Sequence, residues 1–128
     1  MRVIVAGGRD FDDPVFVWEQ MTRLHNKYGP FTEVVHGGAK GADGLAADWA
    51  VVHGIPVLAV HANWKRYGRA AGPIRNAKML RDYPPGMVIT FPGGRGTANL
   101  RKLAKAARYK VVSLEKRYAK NRTAKNSR

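Results

Sequence analysis

The stretch Met87–Leu100, MVITFPGGRGTANL, reads as strand, tight glycine loop and helix in immediate succession. Met87–Phe91 is a short apolar run bounded by Pro85-Gly86 and by Pro92-Gly93-Gly94, the pattern of a strand buried on both faces in a parallel sheet. Beyond Thr97, Leu100, Leu103, Ala104 and Ala107 recur with helical spacing, so a helix begins inside the loop. Gly93, Gly94 and Gly96 carry no Cβ to hold an anion away from the backbone. A helix N-terminus directs unpaired N–H groups and the positive end of its dipole at one point. Arg95 adds a cation, and Thr97 adds a hydroxyl that either caps the helix or contacts a phosphate. Taken alone, the same residues also suit a turn that binds nothing.

The same grammar occurs twice more. Arg2–Ala6 is an apolar strand that runs into Gly7-Gly8-Arg9-Asp10, and Asp13-Pro14 then starts a helix whose buried stripe is Val17, Met21, Leu24 and Tyr28. Phe31–His36 forms a second strand, followed by Gly37-Gly38-Ala39-Lys40-Gly41-Ala42-Asp43 and by a helix with Leu45, Trp49 and Val52 on one face, closed at Gly54. Pro56–Val60 is a third strand. His61–Gly72 is expected as a loop able to fold over the binding face, with Trp64 and Tyr67 either stacking on a base or packing the loop down. A helix from Pro73 to about Tyr83 carries Arg75, Asn76 and Lys78 in its early turns, and Pro84-Pro85-Gly86 ends it. Lys110–Leu114 is a final strand.

Alternation of this length predicts an α/β, three-layer Rossmann-like domain with a mostly parallel sheet of about five strands. Right-handed crossovers place every strand-to-helix loop on the carboxyl edge of that sheet, where the three glycine loops converge. A phosphate-bearing ligand at that edge is the expectation.

The chain of 128 residues is expected to form one domain, residues 1–114, with a basic tail at 115–128. A hydrophobic fraction of 45% suits a folded globule rather than a disordered chain. Without cysteine, a disulfide framework and a thiolate metal site are both ruled out. No apolar run approaches the roughly 20 residues of a membrane span, so a soluble, cytoplasmic protein is expected. The net charge of +14 is uneven: residues 1–60 hold 5 Lys/Arg against 7 Asp/Glu, and residues 61–128 hold 18 against 2. A basic half of this kind predicts contact with polyanions, whether nucleotide phosphates, nucleic acid or both. His25, His36, His53 and His61 have no paired ligand spacing and Asp10, Asp12 and Asp13 no calcium-loop frame, so no metal site is expected.

Four ordered motifs, GGRDF at Gly7–Phe11, HGGAKGAD at His36–Asp43, GPIRNAKM at Gly72–Met79 and FPGGRGTANL at Phe91–Leu100, together resemble the SLOG superfamily of Rossmann-like nucleotide-binding proteins, in its small stand-alone YspA/cpYpsA-related branch. The resemblance spans about residues 1–114 and implies a nucleotide or nucleotide-derived ligand, sensed, sequestered or processed, in a protein that forms dimers or larger assemblies. It implies phosphate contacts from the PGGRGT loop. LOG-type relatives cleave the N-glycosidic bond of nucleoside monophosphates with a PGGxGTxxE motif and an upstream R-x-x-x-M. Arg75 and Met79 match the second motif and Pro92, Gly93, Gly94, Gly96 and Thr97 the first, whereas Leu100 stands where the glutamate belongs. Cleavage passes through a cationic sugar and needs a carboxylate, which Asp10 or Asp43 would have to supply, with Arg75 as a further catalytic candidate.

The expected nucleotide and phosphate site thus comprises Gly7, Gly8, Arg9, His36, Gly37, Gly38, Lys40 and Gly41, then Asp43 on a ribose hydroxyl and Arg75. Asn76 or Asn99 is expected to read polar edges, and Gly93, Gly94, Arg95, Gly96 and Thr97 to hold phosphate. No resident cofactor is expected, with Mg²⁺ left open as a companion of a bound di- or triphosphate. Two other functions stand beside nucleotide binding: an N-glycosidase, and single-stranded nucleic-acid binding through the basic C-terminal half, as in DprA-type relatives.

Overall fold

The computed structural model describes residues 1–115. The expected basic tail therefore lies, apart from Glu115, outside the described residues. Five strands, β1 (Arg2–Ala6), β2 (Glu33–His36), β3 (Val57–Ala59), β4 (Met87–Thr90) and β5 (Val111–Ser113), form one sheet in the order β3-β2-β1-β4-β5. Every pairing is parallel, so the expected mostly parallel sheet is wholly so. The helices are α1 (Pro14–Tyr28), α2 (Ala42–Val52), α3 (Trp64–Tyr67), α4 (Ala71–Asp82) and α5 (Arg95–Ala106), with a 3₁₀ turn at Gly68–Ala70.

Alternation along the strands sorts the core into two layers. Val3, Val5, Met87 and Ile89 face α1 and α2, packing with Phe16, Met21, Leu24 and Trp49. Ile4, Val35 and Val88 face the other way, against Met79 and Leu80 of α4 and Leu100 and Ala104 of α5. The order 3-2-1-4-5 with helices on both faces is the Rossmann arrangement, and its direction reverses between β1 and β4.

The sequence signals set the helix ends. The Asp13 carboxylate accepts the Phe16 N–H at 3.1 Å ahead of Pro14 in the first turn of α1. At the end of α2, Gly54 has φ +70°, its N–H reaches the Val51 carbonyl at 3.0 Å, and Ile55 N–H reaches Ala50 at 2.8 Å. That pair of bonds is a Schellman closure.

The stretch expected as a loop, His61–Gly72, is instead largely helical. Asn63 Oδ1 accepts the Arg66 N–H at 3.1 Å and starts α3, and the 3₁₀ turn runs on into α4, which begins at Ala71 rather than at Pro73. Pro73 is tolerated because the first turn has no intrahelical acceptor for the N–H it lacks. Among the described residues no helix is long and apolar enough to cross a membrane.

Candidate functional site

Parallel strands deliver Gly7–Asp10, His36–Asp43 and Pro92–Thr97 to the same carboxyl edge. Gly8 ties the three loops together. Its N–H donates to the Pro92 carbonyl at 2.8 Å, and its own carbonyl accepts the N–H of Ala42 at 3.2 Å and of Phe11 at 3.1 Å. The approach is close enough that a Cβ on Gly7 would meet Ala42, and one on Gly41 would meet the Gly8 carbonyl. Between these loops and α4 opens a cleft of about 620 Å³, at the switch point of the sheet.

In the loop after β2, the amides of Gly37, Gly38 and Ala39 turn onto side chains of the same loop. Gly37 N–H and Ala39 N–H donate to Asp43 Oδ2 at 2.9 and 3.4 Å, and Gly38 N–H donates to His36 Nδ1 at 2.9 Å. Asp43, in the first turn of α2, acts as an internal anion for its own loop. From the far side, Arg75 of α4 donates through Nη1 to the Gly37 carbonyl at 2.7 Å and through Nε to Asn76 Oδ1 at 2.9 Å.

The loop after β4 is the opposite case. Gly94 is the N-cap of α5 and among the described residues no side chain caps the helix, so its first amides have neither an intrahelical partner nor a cap from those residues. Gly94, Arg95 and Gly96 are exposed and line the cleft. Thr97 does not cap the helix: its buried hydroxyl is tucked against Gly93, where a Cβ would collide with it.

Asp43 is only 4% exposed, and burial pushes its carboxyl up to about 6, against the pull of the Ala39 and Gly37 amides and Arg75. The Gly7 amide adds a weaker favourable pull, but Oδ1 has no hydrogen-bond partner among the described residues. His36 is held below its ordinary value by burial, helped by the charges of His61 and Arg75. Burial also lowers Arg75, while Asp43 raises it.

Most residues expected at the site do line the cleft: Gly7, Gly8 and Arg9 from one loop, Gly37, Gly38 and Asp43 from the next, Arg75 and Asn76 from α4, and Asn99 with the start of α5. Asn76 is 2% exposed, and its amide is fully engaged, Nδ2 donating to Gly96 O and to Asn99 Oδ1, both at 3.0 Å. His36, Lys40, Gly41, Gly93 and Asp10 are not among the lining residues, and Lys40 and Asp10 are exposed outside it. Leu100, at the position of the LOG-type glutamate, is fully buried against the sheet, so no carboxylate reaches the cleft from there.

The sequence reading missed His61, Gly72 and Met79 as lining residues. The signal for His61 was its position just past β3, which ends on the same edge, and a Cβ on Gly38 would touch its ring at 2.5 Å. Trp64 and Arg69 sit at the mouth, Trp64 with 58% of its surface exposed. Among the described residues no three His, Asp or Glu side chains group as a metal site.

The chain is 36% identical over 121 residues to the Gene 61 protein of Mycobacterium phage D29, an alignment covering 88% of this chain and 94% of that one. The crystal structure of phosphoribosylglycinamide formyltransferase from Bacillus halodurans superposes with a TM-score of 0.48 at 19% identity, covering 88% of this chain, which spans 55% of that enzyme's length. The sequence profile of the YspA, cpYpsA-related SLOG family matches residues 1–67. With just over half the chain matched by that profile and the phage relative aligned nearly end to end, the protein belongs to the YspA, cpYpsA-related SLOG family.

Proposed function

We propose that the cleft binds a nucleotide or nucleotide derivative, with its phosphate at the first turn of α5. The observation that carries this reading is the uncapped N-terminus of α5, exposed at Gly94–Gly96 and opening into a cleft that also contains Arg9, Arg69 and Arg75. Free helical amides and a dipole end favour an anion, and the surrounding guanidinium groups add charge-assisted bonds. Membership in a SLOG family and the Rossmann order of the sheet support the same ligand class.

Calorimetric titration with adenosine 5′-monophosphate, adenosine and inorganic phosphate tests it. Saturable binding of the monophosphate, much tighter than that of adenosine, is the expected result. Equal affinity for nucleoside and nucleotide, or no binding of either, overturns the reading.

A second reading has its own support beside the cleft, where exposed Trp64 and Tyr67 lie in one short segment with Lys65, Arg66 and Arg69, and Trp64 and Arg69 line the cleft itself. Aromatic faces and cations in that arrangement suit a single-stranded nucleic acid. Oligonucleotide binding that competes with the mononucleotide favours it; binding that leaves mononucleotide affinity untouched counts against a shared site. Catalysis would have to use Asp43, since position 100 offers none. Release of free base by the wild type and not by Asp43→Asn would add an N-glycosidase activity to binding.

A further inference from the structure

Asp43 combines three properties that rarely coincide. It is more than nine-tenths buried, it lines the cleft, and one of its oxygens is unused. Oδ2 is committed to the Gly37 and Ala39 amides. Oδ1 has no donor within hydrogen-bond geometry among the described residues, the Gly7 amide pulling on the carboxyl only weakly, although buried polar atoms are nearly always paired. None of the charged and titratable side chains around it bonds Oδ1. Arg75 of α4 is bonded to Gly37 and Asn76, and His36 at the end of β2 is bonded to Gly38. His61, past β3, lies against Gly38, while Arg9 and Arg95 line the cleft from the β1 loop and from α5.

These guanidinium groups make the site unwelcoming to a second cation, so the missing donor is a neutral one. On a phosphate-bearing ligand seated at α5, the neutral donors are the hydroxyls of a sugar and the amine of a base. The sugar is the group joined directly to the phosphate. We propose that Asp43 Oδ1 accepts a hydrogen bond from a ribose hydroxyl, so that the cleft selects ribonucleotides over deoxyribonucleotides. This assignment rests on the nucleotide reading of the cleft.

Proton linkage follows from the same contact. Burial keeps the carboxyl titrating at about 6 without a ligand, and a donor at Oδ1 stabilises the ionised form. Binding near pH 6 therefore expels a proton from Asp43, and affinity rises as pH rises through that region. The phosphate of the nucleotide also ionises near pH 6 and exchanges protons of its own. Asp43→Asn retains that share and loses the carboxyl's, so the difference between the two proteins isolates Asp43.

The experiment is calorimetric titration of adenosine 5′-monophosphate, its 2′-deoxy and 3′-deoxy analogues and inosine 5′-monophosphate, at pH 5 and 7, in buffers of different ionisation enthalpy. At pH 7 the ribonucleotide is expected to bind about tenfold or more tightly than at least one deoxy analogue, the scale of a hydrogen bond to a charged group. The preference shrinks at pH 5, and Asp43→Asn loses both the preference and the extra proton release. Equal binding of the ribo and both deoxy forms by the wild type overturns the proposal, whatever the variant does. Discrimination that follows the base amine instead, seen as weaker inosine 5′-monophosphate binding with the deoxy forms unaffected, also overturns it. In either of those cases phosphate-dependent binding still stands. Failure of every phosphorylated probe to bind removes the nucleotide reading itself, and this assignment with it.

Discussion

Arg75 Nη1 lies 2.7 Å from the Gly37 carbonyl oxygen, a bond that spans 38 residues of sequence and joins α4 to the loop after β2. Its Nε bonds Asn76, and the side chain of Asn76 bonds the Gly96 carbonyl at the start of α5. One guanidinium and one amide thus connect the anionic side of the cleft, at Asp43, to the cationic side, at Arg95. The two sides are held at a fixed separation by this chain of bonds rather than by the sheet alone.

Replacing the planar fork with a single ammonium should loosen that connection. Arg75→Lys is expected to lower stability by about 1–3 kcal/mol in urea unfolding, since it leaves at least one of these bonds unmade in a partly buried place. Arg75→Met, which also removes the charge that pulls Asp43 down, should move the Asp43 carboxyl further up, as seen by NMR titration of its side chain.

Asp43 predicts a definite pH dependence. The folded carboxyl titrates at about 6 and the unfolded one near 3.8, so the folded state holds the extra proton between those values. Its contribution to stability is therefore intact below about pH 4, falls as pH rises, and by about pH 6 has cost roughly 3 kcal/mol. Asp43→Asn escapes this penalty. The stability of the variant minus that of the wild type should rise by up to that amount between pH 4 and 7, in urea unfolding of ligand-free protein. His36 acts with the opposite sign, losing stability as pH falls through its unfolded value of 6.5, but it is common to both proteins and cancels. A difference that stays flat across this range would contradict the account.

The glycines divide by what surrounds them. Gly41→Ala drives a methyl group into the Gly8 carbonyl, with the Arg9 backbone 2.7 Å away, and should destabilise by about 1–3 kcal/mol or more. Gly96→Ala meets open space inside α5 and should stabilise by up to about 1 kcal/mol through helix propensity. Thermal unfolding of the two variants, read side by side, checks both signs.

Two substitutions among the residues lining the cleft test which part of a nucleotide each would meet. Trp64→Ala removes an exposed ring and should change stability by less than about 0.5 kcal/mol. It should weaken binding of base-bearing nucleotides by about 1–3 kcal/mol while leaving ribose 5-phosphate unaffected. Arg95→Ala should weaken both by about 1.5–3 kcal/mol. Titration of each variant with both probes decides whether the aromatic face and the cation serve different ends of one ligand.

The sheet and its edge were legible because the signals were redundant. Three apolar runs each break into glycine and then helical spacing, and only parallel crossovers accommodate that pattern. Less legible was α3, since four residues carry no periodicity, and Asn63 was the one local clue to it. The use of each loop was hidden for a different reason. HGGAKGAD and PGGRGT look alike as glycine loops, but the first contains its own carboxylate and folds its amides onto it. That outcome depends on where Asp43 points once α2 has formed. His61 stands just past β3, on the edge where the His61–Gly72 segment was expected to cover the binding face, but nothing in its spacing singles out its own side chain.

The Gly8 junction also sets a timescale. Its amide is bonded to Pro92 and its carbonyl to Ala42 and Phe11, so one residue ties its loop both to the loop after β4 and to the start of α2. Exchange of that amide with deuterium should then be as slow as exchange in the flanking strands, although it lies in a loop. The amides that open α5 should exchange at once, and a bound anion should slow them selectively. A ligand at this edge would meet a floor that is already set, and its arrival would be recorded in the first turn of a single helix.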